Sequence, residues 1–225
     1  MQIINMTVCH KAGKLFTDVS FDIHEGDCIM LCGANGSGKT TLMKAIAALS
    51  DESGGRIIMI PARIPKVVGF TLMDFIKVSC FSRSDMFSRL SPSQESAIQS
   101  ALQTLSLTHL ADRDISTLSD GEFQKACIAS ALIRETAIIM LDEPTAFLDA
   151  ENRISVLRTL RALCDDNKSG RRPAIIFSTH DLHDGLEACT KVIAIGADKQ
   201  LHISENDSLD SRRKTMSTIF TTDRI

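Results

Sequence analysis

The 225-residue chain contains no Cys-x-x-Cys pair, no internal repeat and no low-complexity tract. Its seven cysteines (Cys9, Cys28, Cys32, Cys80, Cys127, Cys164 and Cys189) are odd in number and scattered. That pattern points to a reducing compartment and argues against a zinc site. Cys28 and Cys32 lie in an apolar run and read as buried core thiols. Basic charge is not in excess either: the net charge is -3 and the pI about 6.1. The positive field of a nucleic-acid binder is missing, so no nucleic-acid partner is expected. Arg171-Arg172 and Arg212-Arg213-Lys214 are short clusters that read as solvated faces. No apolar run approaches the roughly 18–20 residues that span a bilayer. No basic region followed by a long apolar stretch opens the chain, so no signal peptide is expected. Work at a membrane would need another chain to bring this one there.

What is present suits one domain over residues 1–225. A hydrophobic fraction of 44% supplies a core and a charged fraction of 24% keeps it soluble. Short β-rich runs alternate with helical patterns, which predicts an α/β fold. Strands are expected at Ile29–Cys32, Ile57–Ile60, Ala137–Leu141, Ala174–Ser178 and Val192–Ile195, and a helix at Thr40–Leu49. Between Pro65 and Leu118 the texture changes. Asp74–Lys77 and Ser93–Ser106 read as helices, the longer one opened by Ser91-Pro92. The expected layout is a core of about 1–63 and 135–225, with a mostly helical sub-domain of about 64–134 inserted. Asp165–Pro173 reads as a polar loop, and a short tail helix is expected near Met216–Phe220.

Two stretches carry chemistry. "GANGSGKTT" at 33–41 fits G-x-x-x-x-G-K-[ST] through Gly33, Gly38, Lys39 and Thr40. It follows an expected strand and opens an expected helix. Glycines there let successive backbone N–H groups turn inward around phosphate oxygens, and the helix N-terminus adds positive potential. Lys39 can reach the β- and γ-phosphates and the Thr40 hydroxyl can bind Mg²⁺. Asn35, Gly36, Ser37 and Thr41 complete the loop expected to face ATP. The bland alternative, a glycine-rich turn capping a helix, explains fewer of these residues. "IIMLDEPTAFLD" at 138–149 then sets two carboxylates after a buried run. Asp142 is the candidate Mg²⁺ ligand. Glu143, pointed elsewhere by strand alternation, is the candidate base for the attacking water. A solvated strand exit is the alternative for these acids.

The phosphate loop, "LSDGEFQK" at 118–125, "IIMLDEPTAFLD" and "STHD" at 178–181 occur in that order. Together they resemble the ABC-type ATPases over nearly the whole chain. The resemblance implies a P-loop NTPase core of the ABC ATPase type and a head-to-tail homodimer with two ATPs between subunits. Ser119, Gly121 and Glu122 would belong to the part of the site contributed to the partner's nucleotide. Asp149 would link the two sites, and His180 would contact the γ-phosphate, although a lone His after a strand is commonly structural. His10 falls near the position of an adenine-stacking aromatic; a surface role is the alternative. The chain departs from the family where a Mg²⁺-binding Gln is usual, since "IIMIPARIP" offers Ala62 and Arg63. "FTLMDFI" and "LSLTHLADRDISTLSDGE" look like the iron-siderophore, haem and cobalamin importer branch.

The leading expectation is therefore a transporter motor. It would sit in the cytoplasm, peripheral on the inner face of the cell membrane, with transmembrane permease subunits and a substrate-binding protein as partners. Alternatives are a soluble single-cassette ATPase, such as the iron–sulfur cluster assembly type, and a nucleotide-binding module with poor hydrolysis. Asp120 poses its own question. An acid suits a helix N-terminus, yet it brings negative charge towards a phosphate, so its carboxylate is expected to point away from the nucleotide.

Overall fold

The computed structural model describes residues 1–10, 13–51, 57–80, 90–134, 136–166 and 172–219, with the backbone alone at His10, Ser50 and Asp51. It divides into two units. The first comprises Met1–Ala62, Ala137–Ala146 and Leu157–Ile225; the second comprises Arg63–Thr136 and Phe147–Val156.

The first unit contains two sheets. β1 (Gln2–His10) and β2 (Gly13–Asp22) form an antiparallel pair. This pair was not expected from the sequence, and its register explains why. Shifts between Ile3, Met6 and Val8 break the alternation, so that Ile3 and Val8 are both buried although five positions apart. Such irregularities flip side-chain parity and erase a period-two signal. The second sheet is built from β3 (Cys28–Gly33), β4 (Ile57–Ile60), β5 (Ile138–Leu141), β6 (Ala174–Ser178), β7 (Lys191–Ile195) and β8 (Leu201–Ile203). Its order is β4-β5-β6-β3-β7-β8, parallel except for β8. The central strands β5 and β6 are buried at every residue, as both faces of a parallel sheet demand. That burial accounts for their continuous apolar runs. Cys28 and Cys32 are fully buried, and desolvation pushes the Cys32 thiol up to about 12.

Helix α1 (Lys39–Ala47) follows β3 and buries Leu42, Met43 and Ile46. It runs into a 3₁₀ turn at Ala48–Asp51, so the helix expected to Leu49 ends two residues early. In the second unit, α2 (Leu72–Val78), α3 (Pro92–Thr104) and α4 (Asp120–Leu132) each begin with a reciprocal capping box. The pairs are Thr71 with Asp74, Ser91 with Gln94, and Ser119 with Glu122, each satisfying two otherwise unpaired N–H groups. The rings of Phe75 and Phe123 pack with centroids 5.5 Å apart. Helix α5 (Ala150–Asp165) starts in the second unit's segment and continues in the first unit's. The first unit closes with α6 (Leu182–Ala188) and α7 (Leu209–Ser217). The tail helix thus lies earlier than expected from Met216–Phe220. Ser208 caps it through the Ser211 N–H and Asp210 sits in its first turn. Phe220, and residues 167–171 of the expected polar loop, lie outside the described residues.

Candidate functional site

Three loops of the first unit meet because their strands are neighbours. In the sheet, β3 pairs with β6 and β6 with β5, with Leu31 opposite Ser178 and Phe177 opposite Leu141. The segments leaving their carboxyl ends carry the phosphate loop, Thr179-His180 and Asp142-Glu143. The carboxyl edge of adjacent parallel strands is where open α/β sheets bind ligands.

In the loop, Gly38 has a left-handed φ of 107°. A Cβ there would meet Leu15 Cδ2 at 2.7 Å and Phe16 Cζ at 2.8 Å, so no larger residue fits. Lys39 is buried, and its Nζ donates to the Gly33 carbonyl at 2.9 Å and the Ala34 carbonyl at 3.2 Å. Burial holds its ammonium below the usual lysine value, while Glu143 and Asp142 pull it back up. A desolvated ammonium that donates to two loop carbonyls is ready to donate to phosphate oxygens instead. Ser37 Oγ is buried with no hydrogen-bond partner among the described residues, a polar atom left unsatisfied within the loop. Lys199, itself at a left-handed φ of 65°, donates to the Gly36 and Ser37 carbonyls at 3.3 and 3.2 Å. It ties the turn before β8 to the outer side of the loop, a contact that no sequence spacing signals.

The Thr40 hydroxyl donates to Asp142 Oδ2 at 2.7 Å. That separation matches the roughly 2.9 Å between neighbouring oxygens around a small octahedral cation with 2.0–2.1 Å bonds. Among the described residues, no cluster of three or more His, Cys, Asp or Glu could cage a metal alone. A cation here would take the remaining oxygens from a ligand and water. Asp142 Oδ1 accepts from the Ser178 hydroxyl at 2.8 Å, and Ser178 Oγ in turn accepts from the Glu143 N–H at 2.8 Å. Ser178 is fully buried and was not singled out from the sequence, where it reads only as the last residue of a strand.

Asp142 and Glu143 bond different partners, and strand alternation is not the cause. Both follow the end of β5, and Glu143 takes a left-handed φ of 50°. Its Oε1 lies 2.6 Å from His180 Nε2. Lys39, Thr40, Asp142, Glu143 and His180 therefore occur together in the first unit, with Gly33, Asn35, Gly36, Ser37 and Thr41 on the loop and helix beside them. His10 pairs its backbone with Gly13 at the end of β1, and its side chain lies outside the described residues.

Ser119, Gly121, Glu122 and Asp149 belong to the second unit. Ser119 Oγ accepts from the Glu122 N–H at 3.2 Å, and Glu122 Oε2 accepts from the Ser119 N–H at 2.8 Å. That backbone bond holds the Glu122 carboxyl below its usual value. A Cβ on Gly121 would lie 2.8 Å from Asn152 Oδ1. Asn152 is fixed by Asp149, which accepts from its backbone N–H at 2.8 Å and from Nδ2 at 2.9 Å. Asn152 thus packs against position 121 and would have to shift to admit a side chain there, a tertiary link invisible to motif spacing. Asp120 Oδ1 is paired with Lys66 Nζ at 2.7 Å.

Comparison with known proteins bears on the family and the fold. The family model described as ABC transporter matches residues 16–146. The petrobactin import ATP-binding protein FpuD of Bacillus anthracis is 28% identical over 216 residues, covering 88% of this chain and 77% of that protein. The sulfate/thiosulfate import ATP-binding protein CysA of Yersinia pestis is 30% identical over 215 residues, 87% of this chain and 57% of its own length. The chain thus spans a little over half of that second relative. A solved ATP-binding cassette of an ABC transporter in its ADP conformation superposes with a TM-score of 0.80. It covers 99% of this chain and 98% of its own at 18% identity, a likeness of fold. The chain belongs to the ABC transporter family, as an ATP-binding, ATP-hydrolysing subunit.

Proposed function

We propose that the chain is the motor of an importer, working as a head-to-tail homodimer on transmembrane permease subunits at the inner face of the cell membrane. Its cargo would be an iron-siderophore, haem or cobalamin-like compound handed over by a substrate-binding protein. One observation carries the chemical part: Lys39, Thr40, Asp142, Glu143 and His180 converge on the carboxyl ends of three adjacent strands. The importer part is supported by the petrobactin and sulfate import relatives. The choice of cargo branch rests on "FTLMDFI" and "LSLTHLADRDISTLSDGE".

In this reading, Lys39 exchanges its two loop carbonyls for β- and γ-phosphate oxygens, and the loop N–H groups cradle the same oxygens. Thr40 and Asp142 would hold Mg²⁺, which when bound would offset charge on the phosphate oxygens. Glu143 accepts a proton from water as the water oxygen bonds to the γ-phosphorus. The bond from that phosphorus to the bridging oxygen breaks, and ADP leaves with the electron pair. His180, 2.6 Å from Glu143, orients the carboxylate before attack and reaches the γ-phosphate when the site closes. Ser119 and the Gly121 N–H contact the γ-phosphate held by the partner subunit, and Asp149 links the two sites. Ala62 has no side-chain atom that could bind a metal, so another group or water would fill the position a Gln would take, or coupling to the permease would run differently.

Affinity isolation of the full chain from solubilised membranes tests the proposal. Recovery of permease subunits, with ATP hydrolysis by the isolated complex, is the expected result. Recovery of a soluble assembly scaffold and no membrane protein would overturn it.

A further inference from the structure

The negative charge of Asp120 stands at the first turn of α4, where the proposed mechanism brings a γ-phosphate. Lys66, on the segment after β4, answers that charge. Its Nζ donates to Asp120 Oδ1 and to the Leu118 carbonyl, both at 2.7 Å, and lies 5.5 Å from the centre of the Phe123 ring. An exposed ion pair usually contributes little because two long side chains must be held in one geometry. Lys66 is already held: its side chain is 23% exposed, and the carbonyl and the ring fix it independently of the carboxylate. The Leu118 carbonyl belongs to the residue before the helix cap, so the same ammonium draws the Asp120 carboxylate towards the chain that precedes the helix. Three positions earlier, the Arg63 guanidinium stacks 4.3 Å over the Phe147 ring. Residues 63–66 therefore grip both stretches that the proposed dimer uses across its interface. Beyond them Val67 and Val68 are exposed.

We infer that Lys66 is a positioning residue for ATP-driven closure: it neutralises Asp120 and fixes the Leu118–Gly121 turn so that its N–H groups, and not its carboxylate, meet the partner's nucleotide. This rests on the head-to-tail reading above. In this chain the segment without the usual Gln thus influences closure through a cation directed at the second unit's own turn. Asp120 is tolerated in the turn because Lys66 is present. Without Lys66 a full negative charge faces the phosphate, and its effect grows as water leaves the interface.

The test uses the full chain carrying Glu143→Gln, expected to hold ATP without hydrolysis, with the half-saturating ATP for dimer formation read by size-exclusion chromatography. Lys66→Met is expected to raise that concentration by roughly fivefold at low salt, an effect of one unscreened charge several ångströms from the phosphate. Adding Asp120→Asn to Lys66→Met should return it to within about twofold, and about 0.5 M salt should shrink the Lys66→Met effect. Lys66→Arg should remain near the parent. A structural role alone, through the Leu118 carbonyl, would leave the double variant as impaired as Lys66→Met, and that result would overturn the inference. So would an unchanged Lys66→Met. A parent protein that forms no ATP-dependent dimer would overturn the head-to-tail reading and this role with it.

Discussion

Replacing Ser178 by alanine tests whether the buried hydroxyl behind the site holds its two acids. Ser178 is 0% exposed, accepts from the Glu143 N–H and donates to Asp142 Oδ1, both at 2.8 Å. The substitution removes both bonds and leaves the methyl group nothing to offer either partner. An amide left unsatisfied costs about 1–3 kcal/mol, and a lost bond to a charged group about 1.5–3 kcal/mol. Asp142 keeps the Thr40 hydroxyl on its other oxygen. Contributions within one network do not simply add, so the expected loss is about 2–4 kcal/mol. At about 2–4 °C per kcal/mol for a chain of this size, Tm should fall by roughly 4–16 °C. Catalysis should suffer separately, because the Glu143 backbone loses the bond that anchors its left-handed turn. We expect kcat for ATP to fall by about tenfold, equivalent to about 1.4 kcal/mol, with KM little changed because Lys39 and the phosphate loop are untouched. Thermal unfolding and steady-state phosphate release measure the two effects. A Tm within about 1 °C of the parent together with an unchanged kcat would refute the bridging role.

Further outcomes follow from other contacts. Glu143→Gln removes the proton acceptor and should lower turnover at least about 100-fold while ATP-bound dimers accumulate; undiminished phosphate release would sink the assignment of Glu143. Gly121→Ala places a methyl group 2.8 Å from Asn152 Oδ1 and should lower ATPase activity. Asn152→Ala in the same chain should restore part of it, and failure to do so would show that the crowding lies elsewhere. Asp114, which accepts from the Ser116 N–H at 2.8 Å and the Gly69 N–H at 2.7 Å, has its carboxyl held below the usual value, chiefly by Ser116. A lowered acid stabilises the fold fully above its unfolded pKa, and that contribution disappears as pH falls through the folded value. Asp114→Asn should therefore flatten the loss of stability below about pH 4, measured by urea unfolding across the acid range, and an unaltered acid limb would contradict this.

The legible parts of the molecule were those whose physics is local. The phosphate loop could be read because its glycines, lysine and threonine must follow one another at fixed spacing between a strand and a helix. β5 and β6 could be read because strands buried on both faces are continuous apolar runs. The β1–β2 pair could not, since register shifts spoil its alternation. The tail helix begins earlier than the Met216–Phe220 stretch implies because the cap at Ser208 starts it in a polar segment with little apolar periodicity. Ser178, Lys199, Asn152 and Lys66 escaped for a common reason. Each acts on a partner between 31 and 163 positions away or on a backbone group, save for Asn152 on Asp149. No side chain announces by its type which distant carbonyl it will meet. Ala62 shows the opposite limit: the missing Gln was plain in the sequence, whereas the lysine four residues on acquires meaning only beside Asp120.

The left-handed backbone at Glu143 sets a selective asymmetry. A non-glycine residue in that region carries about 1–2 kcal/mol of strain, so glycine would relax the turn, and asparagine would do so in part. Each of those replacements deletes the carboxylate beside His180. At this position the direction of greater stability and the direction of lost hydrolysis coincide. A copy of this chain freed from the need to turn over ATP would drift away from glutamate here and fold more firmly for it. On the proposed mechanism, an acid in this strained turn marks a cassette still held to its chemistry.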